Sequence, residues 1–243
     1  MFLRQPEVLI IDAQRDLSAV LMPHLQSLSM GLMVALSVRA GQRQANEGLP
    51  DLIFLNWTTD EAAAGSRLLR QNPATAHIPI IALLVAPTPA ERSRAMADGA
   101  ITSLDLPLDL KAVSAAIFSH IALQLRLSGT NAWQRSACVM SVTQAIAELQ
   151  IAERQGGHAL AVQCQKQLAV GALQAVFVEH LGMSIAAFAN RLCLVHANER
   201  LRSSGLSVDA IAQAAGYSDP DAFAAAYRAC FGIDLADAPR IPT

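Results

Sequence analysis

Short apolar runs alternate with helical patterns along the first half of the chain. Runs of four to six apolar residues that are separated by amphipathic helices are typical of a parallel sheet covered on both faces. The predicted strands are Val8–Ile11, Leu32–Leu36, Leu52–Leu55, Ile80–Val85 and Ala100–Leu104, and the predicted helices are 15–28, 40–46, 60–71, 89–97 and 109–127. Pro23 falls inside the first of these helices, where we expect it to kink or shorten the helix. The first half is therefore predicted to be an α/β domain.

The second half carries helical patterns without a convincing strand. The break between the halves is the turn-forming stretch Ser-Gly-Thr-Asn at 128–131. The predicted helices are 133–154, 159–165, 170–181, 184–203, 208–214 and 219–231. The sequence thus predicts three parts: an α/β domain at 1–127, a linker and connecting helix at 128–158, and an all-α domain at 159–243.

Composition and charge exclude several classes of protein. The chain is 53% hydrophobic and only 16% charged, and its formal net charge is −2, so no global basic field attracts it to nucleic acid. The four cysteines form no C-x-x-C pair and are expected to be reduced thiols of a cytoplasmic protein. No apolar stretch is long enough to span a membrane, and no secretory leader is expected at the N-terminus. No metal cluster, cofactor motif or nucleophile–base pair is evident, so we expect neither an enzyme nor a cofactor.

The first half resembles the receiver domain of two-component response regulators over about residues 6–125. The resemblance is carried by VLIIDAQ at 8–14, GLPDLIFLNW at 48–57, HIPIIALL at 77–84 and ADGAITSLDLPLD at 97–109. It implies a five-stranded parallel sheet of the flavodoxin-like receiver type. In that family a phosphoryl group moves from a histidine kinase to an aspartate at the end of the third strand, beside a Mg²⁺ ion that an acidic pair helps to hold.

Most positions of the receiver chemistry hold residues of the wrong type in this chain. Only the first of the acidic pair is kept. The five positions are Asp12 and Ala13 for the acidic pair, Asn56 for the phosphoacceptor, Leu84 for the Thr/Ser and Leu106 for the Lys. The aromatic position on the fifth strand is Ser103. A neutral amide cannot form an acyl phosphate, and one carboxylate gives too little charge for a tight Mg²⁺ site, so the resemblance implies a degenerate receiver.

Two interpretations of this half stay open. In one it is a plain α/β scaffold in which Asp12 is hydrogen-bonded or solvated at a strand end. In the other it is a pseudo-receiver, which offers a docking or dimerisation surface without aspartyl phosphorylation. A small ligand in the cleft at the carboxyl ends of the strands is a variant of the second interpretation.

The second half resembles the AraC/XylS family of transcription regulators over about residues 160–240. The matching motifs are LGMS at 181–184, RL-x-L-x-x-A-x-E-R-L at 191–201, SV-x-x-IA-x-x-x-GY at 207–217 and F-x-x-x-Y-R-x-x-FG at 223–232. The resemblance implies two helix-turn-helix units. Independently of it, apolar residues at i, i+3 and i+4 spacings between Ile211 and Phe231 predict one apolar seam. Gly216 suits the turn, and Ser218 or Asp219 is placed to cap the following helix.

In this family the second helix of each unit enters a major groove of DNA. Carried over, the two reading helices are about 171–180 and 219–229. The candidate DNA contacts are Gln174 on the first reading helix, which we expect to donate to a base such as adenine, and Ser218, Asp219, Asp221, Ala222, Ala225 and Arg228 on the second. Arg191, Arg200 and Arg202 on the linking helix either line one side that faces phosphates or form a solvated helix face.

The charges in this half are few and balanced. Residues 130–243 contain eight basic and nine acidic side chains, and on the second reading helix Arg228 is the one basic residue beside two aspartates. The leading hypothesis is a transcription regulator of AraC type that binds DNA as a homodimer or together with another regulatory protein. The alternative is an adaptor or antagonist that no longer binds DNA and acts through protein–protein contacts.

Overall fold

The computed structural model describes residues 6–28, 30–58, 60–128 and 170–239. These residues belong to two compact units, and the division between Val113 and Ser114 falls within one helix. The first unit takes its described residues from 6–113, and the second takes them from 114–128 and 170–239. The predicted helices 133–154 and 159–165 and the predicted linker lie mostly outside the described residues, so the three domain limits stay a prediction.

The first unit is built on a parallel sheet with the strand order β2-β1-β3-β4-β5. The strands are β1 (Glu7–Ile11), β2 (Gly31–Ala35), β3 (Leu52–Asn56), β4 (Ile80–Val85) and β5 (Thr102–Leu106). The helices between them are α1 (Asp16–Ser27), α2 (Val38–Gly48), α3 (Asp60–Gln71) and α4 (Pro89–Ala97), and α5 (Leu110–Ser128) follows the last strand. Five alternating strands and helices in this order confirm the predicted α/β receiver-type fold.

The central strands are buried on both faces, as a parallel sheet requires. Alternate residues such as Leu9 and Ile53 belong to one core cluster with Ala45 of α2 and Leu69 of α3. The residues between them, Phe54 among others, are equally inaccessible on the opposite face. This explains why β1, β3 and β4 appear in the sequence as continuous apolar runs rather than as alternating patterns.

The expected start of one strand is wrong, and so is the shortening of one helix. Strand β5 begins two residues later than predicted, at Thr102, because residues 102–106 are the ones that pair with β4. Since β5 is an edge strand, it tolerates the exposed Asp105. Helix α1 is not shortened by Pro23 but continues to Ser27. A proline removes one helix hydrogen bond, and α1 tolerates that loss because Leu21 and Leu25 on either side are fully buried.

The second unit is all-α in its described part, as predicted. Its helices are α6 (Val170–Leu181), α7 (Ile185–Ser203), α8 (Val208–Ala214) and α9 (Pro220–Phe231), and a short 3-10 helix (Leu235–Asp237) follows them. Three of these helices begin at capping side chains. Ser184 accepts a hydrogen bond from the N–H of Ala187, and Ser207 accepts one from the N–H of Ala210. Asp219 caps α9 and accepts from the N–H of Asp221 at 3.0 Å.

Aromatic rings form the core of this unit. Phe223, Tyr227 and Phe231 lie on one face of α9, and all three are buried. Their neighbouring ring centroids are 6.2 and 4.6 Å apart. The hydroxyl of Tyr227 donates to Oδ1 of Asn198 at 2.7 Å, so the buried phenol keeps a polar partner on α7. The predicted apolar seam is therefore the surface that joins α9 to α7 and α8.

No helix among the described residues is long and apolar enough to cross a membrane.

Candidate functional site

Asp12 and Asn56 lie side by side at the carboxyl edge of the sheet. Ile11 of β1 is in register with Leu55 of β3. The residues that follow them, Asp12 and Asn56, are therefore neighbours. Nδ2 of Asn56 donates to Oδ1 of Asp12 at 3.0 Å. The two positions that the receiver resemblance singled out in β1 and β3 are therefore brought together as a hydrogen-bonded pair.

The carboxylate of Asp12 is fully buried and serves the start of helix α1. Its Oδ2 accepts from the N–H groups of Leu17 and Ser18, both at 3.0 Å, and its Oδ1 accepts from the N–H of Gln14 at 3.3 Å. Burial raises the pKa of Asp12, but the hydrogen bonds from Ser18, Asn56, Gln14 and Leu17 outweigh burial and leave this pKa below its ordinary value. Asp12 is thus hydrogen-bonded rather than solvated, and it stays ionised.

These residues do not fit the Mg²⁺ ion that a receiver domain would hold. Both oxygens of Asp12 already accept hydrogen bonds, and Asn56 turns its NH₂ group, not its carbonyl oxygen, toward that carboxylate. Ala13 is exposed and offers no ligand. Since Mg²⁺ prefers several carboxylate and carbonyl oxygens in an octahedral array, this donor set is unsuitable. The amide of Asn56 supplies the hydrogen bond that offsets the buried charge instead.

The remaining receiver positions are apolar or are engaged elsewhere. Leu84 is 6% exposed and packs with Ala82, Ala95 and Ala100 in a small core cluster. Leu106 is half-buried at the end of β5.

The aromatic position of the fifth strand holds a polar side chain with a partner. Oγ of Ser103 accepts from Nη1 of Arg92 at 3.3 Å. Nη2 of the same arginine is bonded to the carboxylate of Asp105 at 2.5 Å. These contacts join α4 to β5.

Helix α9, the predicted second reading helix, presents the predicted face to solvent. The residues Asp219, Asp221, Ala222, Ala225 and Arg228 are all exposed, and so is Ser218 in the turn before them. Gly216 allows that turn with a φ of 88°, which residues other than glycine rarely adopt. Asp219, rather than Ser218, is the cap, and Pro220 follows at the first helical position.

Arg228 does not stand alone on this face. Its guanidinium forms an ion pair with the carboxylate of Asp234, which follows the end of α9. Both side chains are largely exposed, at 68% and 50%. Gly232 turns the chain between them with a φ of 71°. The basic side chain expected to meet phosphate therefore already has an anionic partner within the same unit.

The first reading helix, α6, is engaged in a similar way. Oε1 of Gln174 accepts from the N–H of Ile185, the first residue of α7, at 3.3 Å. The exposed side chains that surround it are Ala175, Val178 and Glu179. Gln174 therefore joins two helices, and its NH₂ group and one further acceptor site on its oxygen remain for an outside partner.

The three arginines of α7 do not share one side of the helix, which corrects the sequence-based expectation. Successive residues of a helix are 100° apart, so Arg191 and Arg202 face the same way while Arg200 faces the opposite way. Arg200 is exposed. Nε of Arg191 donates to Oγ of Ser119, and its Nη1 contacts Sγ of Cys230 at 3.8 Å. Burial lowers the pKa of Arg202.

Sequence reasoning missed several residues that hold the helix-turn-helix together. Asn190 accepts from the hydroxyl of Tyr217 at 2.6 Å, and Asn198 accepts from that of Tyr227. Asp234 was missed because a single aspartate after a helix carries no signal of its own. Its position two residues beyond the helix-ending Gly232 is the one feature that places it near the last turn of α9.

Residues 167–237 match the model of a family described as a helix-turn-helix domain. This match confirms the predicted helix-turn-helix domain in the second half of the chain. The matched segment contains four arginines and seven carboxylates, a formal charge of −3.

The chain is also similar to a curated regulator. It is 30% identical over 97 residues to the phosphate regulon transcriptional regulatory protein PhoB of Rhizobium meliloti (strain 1021). The match covers 39% of this chain and 43% of that protein, so the chain spans less than half of its relative.

Solved structures give similar partial matches. The signal receiver domain of a DNA-binding response regulator from Colwellia psychrerythraea 34H is 23% identical, with a TM-score of 0.45 over 48% of this chain and 98% of that one. A response regulator receiver domain protein from Clostridium thermocellum is 21% identical, with a TM-score of 0.46 over 50% and 98%. The receiver-type fold of the first unit stands on its own strand order.

Proposed function

We propose that this protein is a transcription regulator of AraC type, in which a receiver-like first unit works without aspartyl phosphorylation. The observation that carries the proposal is the pairing of Asn56 with Asp12 in a chain that also contains a helix-turn-helix domain. The first unit then acts as a docking or dimerisation module, and the second binds DNA.

The first part of the proposal rests on chemistry. The nucleophile of a receiver is an anionic carboxylate, whereas the side chain of Asn56 is a neutral amide. Its NH₂ group donates to the buried carboxylate of Asp12 and offsets that charge without a cation. A phosphoryl group has no acceptor at this position and no metal-binding set beside it.

A phosphodonor experiment tests this part. The full-length protein is incubated with acetyl phosphate and Mg²⁺ and is analysed by intact mass and by acid-labile label. We expect no phosphorylation, while an active receiver domain in the same reaction is modified. Stable labelling at an aspartate of the wild-type protein would contradict the proposal.

The second part rests on the form of α9. A capped helix after a glycine turn, with a continuous exposed face and a buried aromatic face, has the geometry of a reading helix. The charge of −3 means that little of the affinity comes from phosphate neutralisation. Dimerisation is therefore expected to supply affinity, since two tethered weak sites gain orders of magnitude over one.

Mobility shifts with genomic DNA fragments at low and moderate salt test this part. We expect weak binding that Arg228→Ala reduces. The double change of Asp219 and Asp221 to Asn is expected to strengthen binding, because asparagine keeps the cap and removes two negative charges near phosphates. Binding that ignores both changes would remove α9 from the interface, and absence of binding at every salt concentration would contradict the proposed function.

A second candidate is an adaptor or antagonist that acts only through protein contacts. It is favoured by the same exposed face, because Arg228 is paired with Asp234 and the helix begins with two carboxylates. Capture of a defined protein partner by the purified chain, together with the absence of DNA binding, would favour this candidate.

A further inference from the structure

The ion pair between Arg228 and Asp234 lies on the face that the proposed function assigns to DNA. Arg228 is in the last turn of α9, on the same exposed side as Asp221 and Ala225. Asp234 precedes the 3-10 helix, but its side chain accepts no capping hydrogen bond there. Its carboxylate is thus not needed to begin that helix, and the contact that the structure gives it is with the guanidinium of Arg228.

A carboxylate that is paired with an arginine occupies the place that a phosphate would take. Guanidinium groups bind carboxylate and phosphate oxygens through the same donors, so one anion excludes or weakens the other. The pair is mostly exposed, and exposed ion pairs are weak enough to be exchanged for another anion.

We infer that Asp234 is an internal competitor of DNA phosphate, which limits DNA affinity by holding Arg228. The inference rests on the proposed function and deepens it. Asp234 is a positioning residue, since it acts on DNA through Arg228. The group on DNA that Arg228 contacts is a backbone phosphate rather than a base. Removing its charge frees one phosphate contact without adding any new basic residue.

The chain supplies a matched control. Asp237 is an exposed aspartate on the 3-10 helix that directly follows Asp234. Asp234→Asn and Asp237→Asn remove the same charge from neighbouring places, so their long-range effects on DNA are similar. A difference between them reports the local contact with Arg228.

The experiment measures DNA affinity of the full-length variants across a range of salt concentrations. For D234N we expect a steeper plot of log K against log salt, by at most about 0.9, because Arg228, which Asp234 holds for part of the time in the wild type, then makes a full phosphate contact and releases up to one more counterion. The largest slope change corresponds to a gain of at most about eightfold in affinity at about 0.1 M salt. D237N is expected to keep the wild-type slope, and D234E to behave like the wild type.

The role of Arg228 is tested in a second background. When Arg228 is changed to Gln, D234N and D237N are expected to have equal affinities and equal slopes. A local rearrangement of the protein would persist in that background, whereas a competitor for Arg228 has nothing left to compete for.

The outcomes separate the inference from the function on which it rests. If the wild type binds DNA and D234N matches D237N in slope, the inference fails and the proposed function stands. If none of the variants binds DNA at low salt, both the inference and the proposed function are overturned.

Discussion

Replacing Asn56 by Asp tests whether the amide at this position stabilises the sheet edge. The exchange turns a hydrogen bond of 3.0 Å into a contact between two carboxylates. At this separation the repulsion of two full charges is about 5 kcal/mol with an effective dielectric constant of about 20. The pair can avoid part of that repulsion if one of the two carboxylates binds a proton. Protonation at pH 7 costs about 1.4 kcal/mol for each pH unit between the ordinary pKa of that carboxylate and pH 7. We therefore expect N56D to lose about 2–4 kcal/mol of unfolding free energy at pH 7.

The loss is expected to depend on pH in a defined direction. Because a like charge raises the pKa of the folded pair, the destabilisation is fully present at neutral pH and shrinks as the pH falls toward about 4. The control Asn56→Ala removes the hydrogen bond without adding charge, and its smaller loss of about 1–2 kcal/mol should stay constant between pH 5 and 8. Added Mg²⁺ is expected to recover part of the loss in N56D and none in the wild type.

Urea unfolding read by the fluorescence of Trp57 measures this effect. Trp57 is the neighbour of Asn56 and contacts the core of the same unit. The chain has two tryptophans, so a Trp133→Phe background assigns the signal to the first unit. Equal stability of N56D and N56A at pH 7 in the presence of EDTA would refute the reasoning, because the carboxylate of Asp12 would then not face the residue at position 56.

Two further predictions concern the second unit. Burial lowers the pKa of His120 to about 3, with smaller contributions from Arg191, Arg202 and His196. Since the unfolded histidine binds a proton near its ordinary pKa of 6.5, the unfolding free energy of this unit should fall by about 1.4 kcal/mol per pH unit below pH 6.5 and level off near pH 3. His120→Leu should abolish that slope in acid titrations followed by circular dichroism, and an unchanged slope would place the titrating group elsewhere. Tyr227→Phe removes the buried hydrogen bond to Asn198 and should cost about 1–2 kcal/mol, whereas Tyr217→Phe removes the exposed bond to Asn190 and should cost less. Thermal unfolding compares the two tyrosine variants, and a larger loss for Tyr217→Phe would contradict this ranking.

The local signals in the sequence predicted most helix ends. Helix α4 begins at Pro89 as expected, because Thr88 and Glu91 form a capping box that is visible in the sequence. Asp219 and Pro220 mark the start of α9 in the same way. The predicted start of strand β5 was wrong because the position of this strand depends on its pairing with β4. The polar residues of an edge strand also carry little hydrophobic signal.

Contacts between elements could not be predicted from the sequence. The register of β1 and β3 brings Asp12 to Asn56, and that register is a property of the whole sheet. Likewise, Arg191 was expected either to face phosphates or to be solvated, yet it lies against Ser119 and Cys230, which are distant in the sequence. The sequence therefore named candidate residues, whereas it did not show which partners each of them has in the fold.

The bond from Ile185 to Gln174 also fixes how the amide of Gln174 is presented. A carbonyl oxygen can accept two hydrogen bonds, and the N–H of Ile185 occupies one of these sites at 3.3 Å. Under the proposed function, an amide that reads adenine donates and accepts at once, through a pair of bonds to N6 and N7. Gln174 would form that pair with its oxygen still held by the backbone of α7, so the joint between the two helices would set the angle at which the amide meets a base.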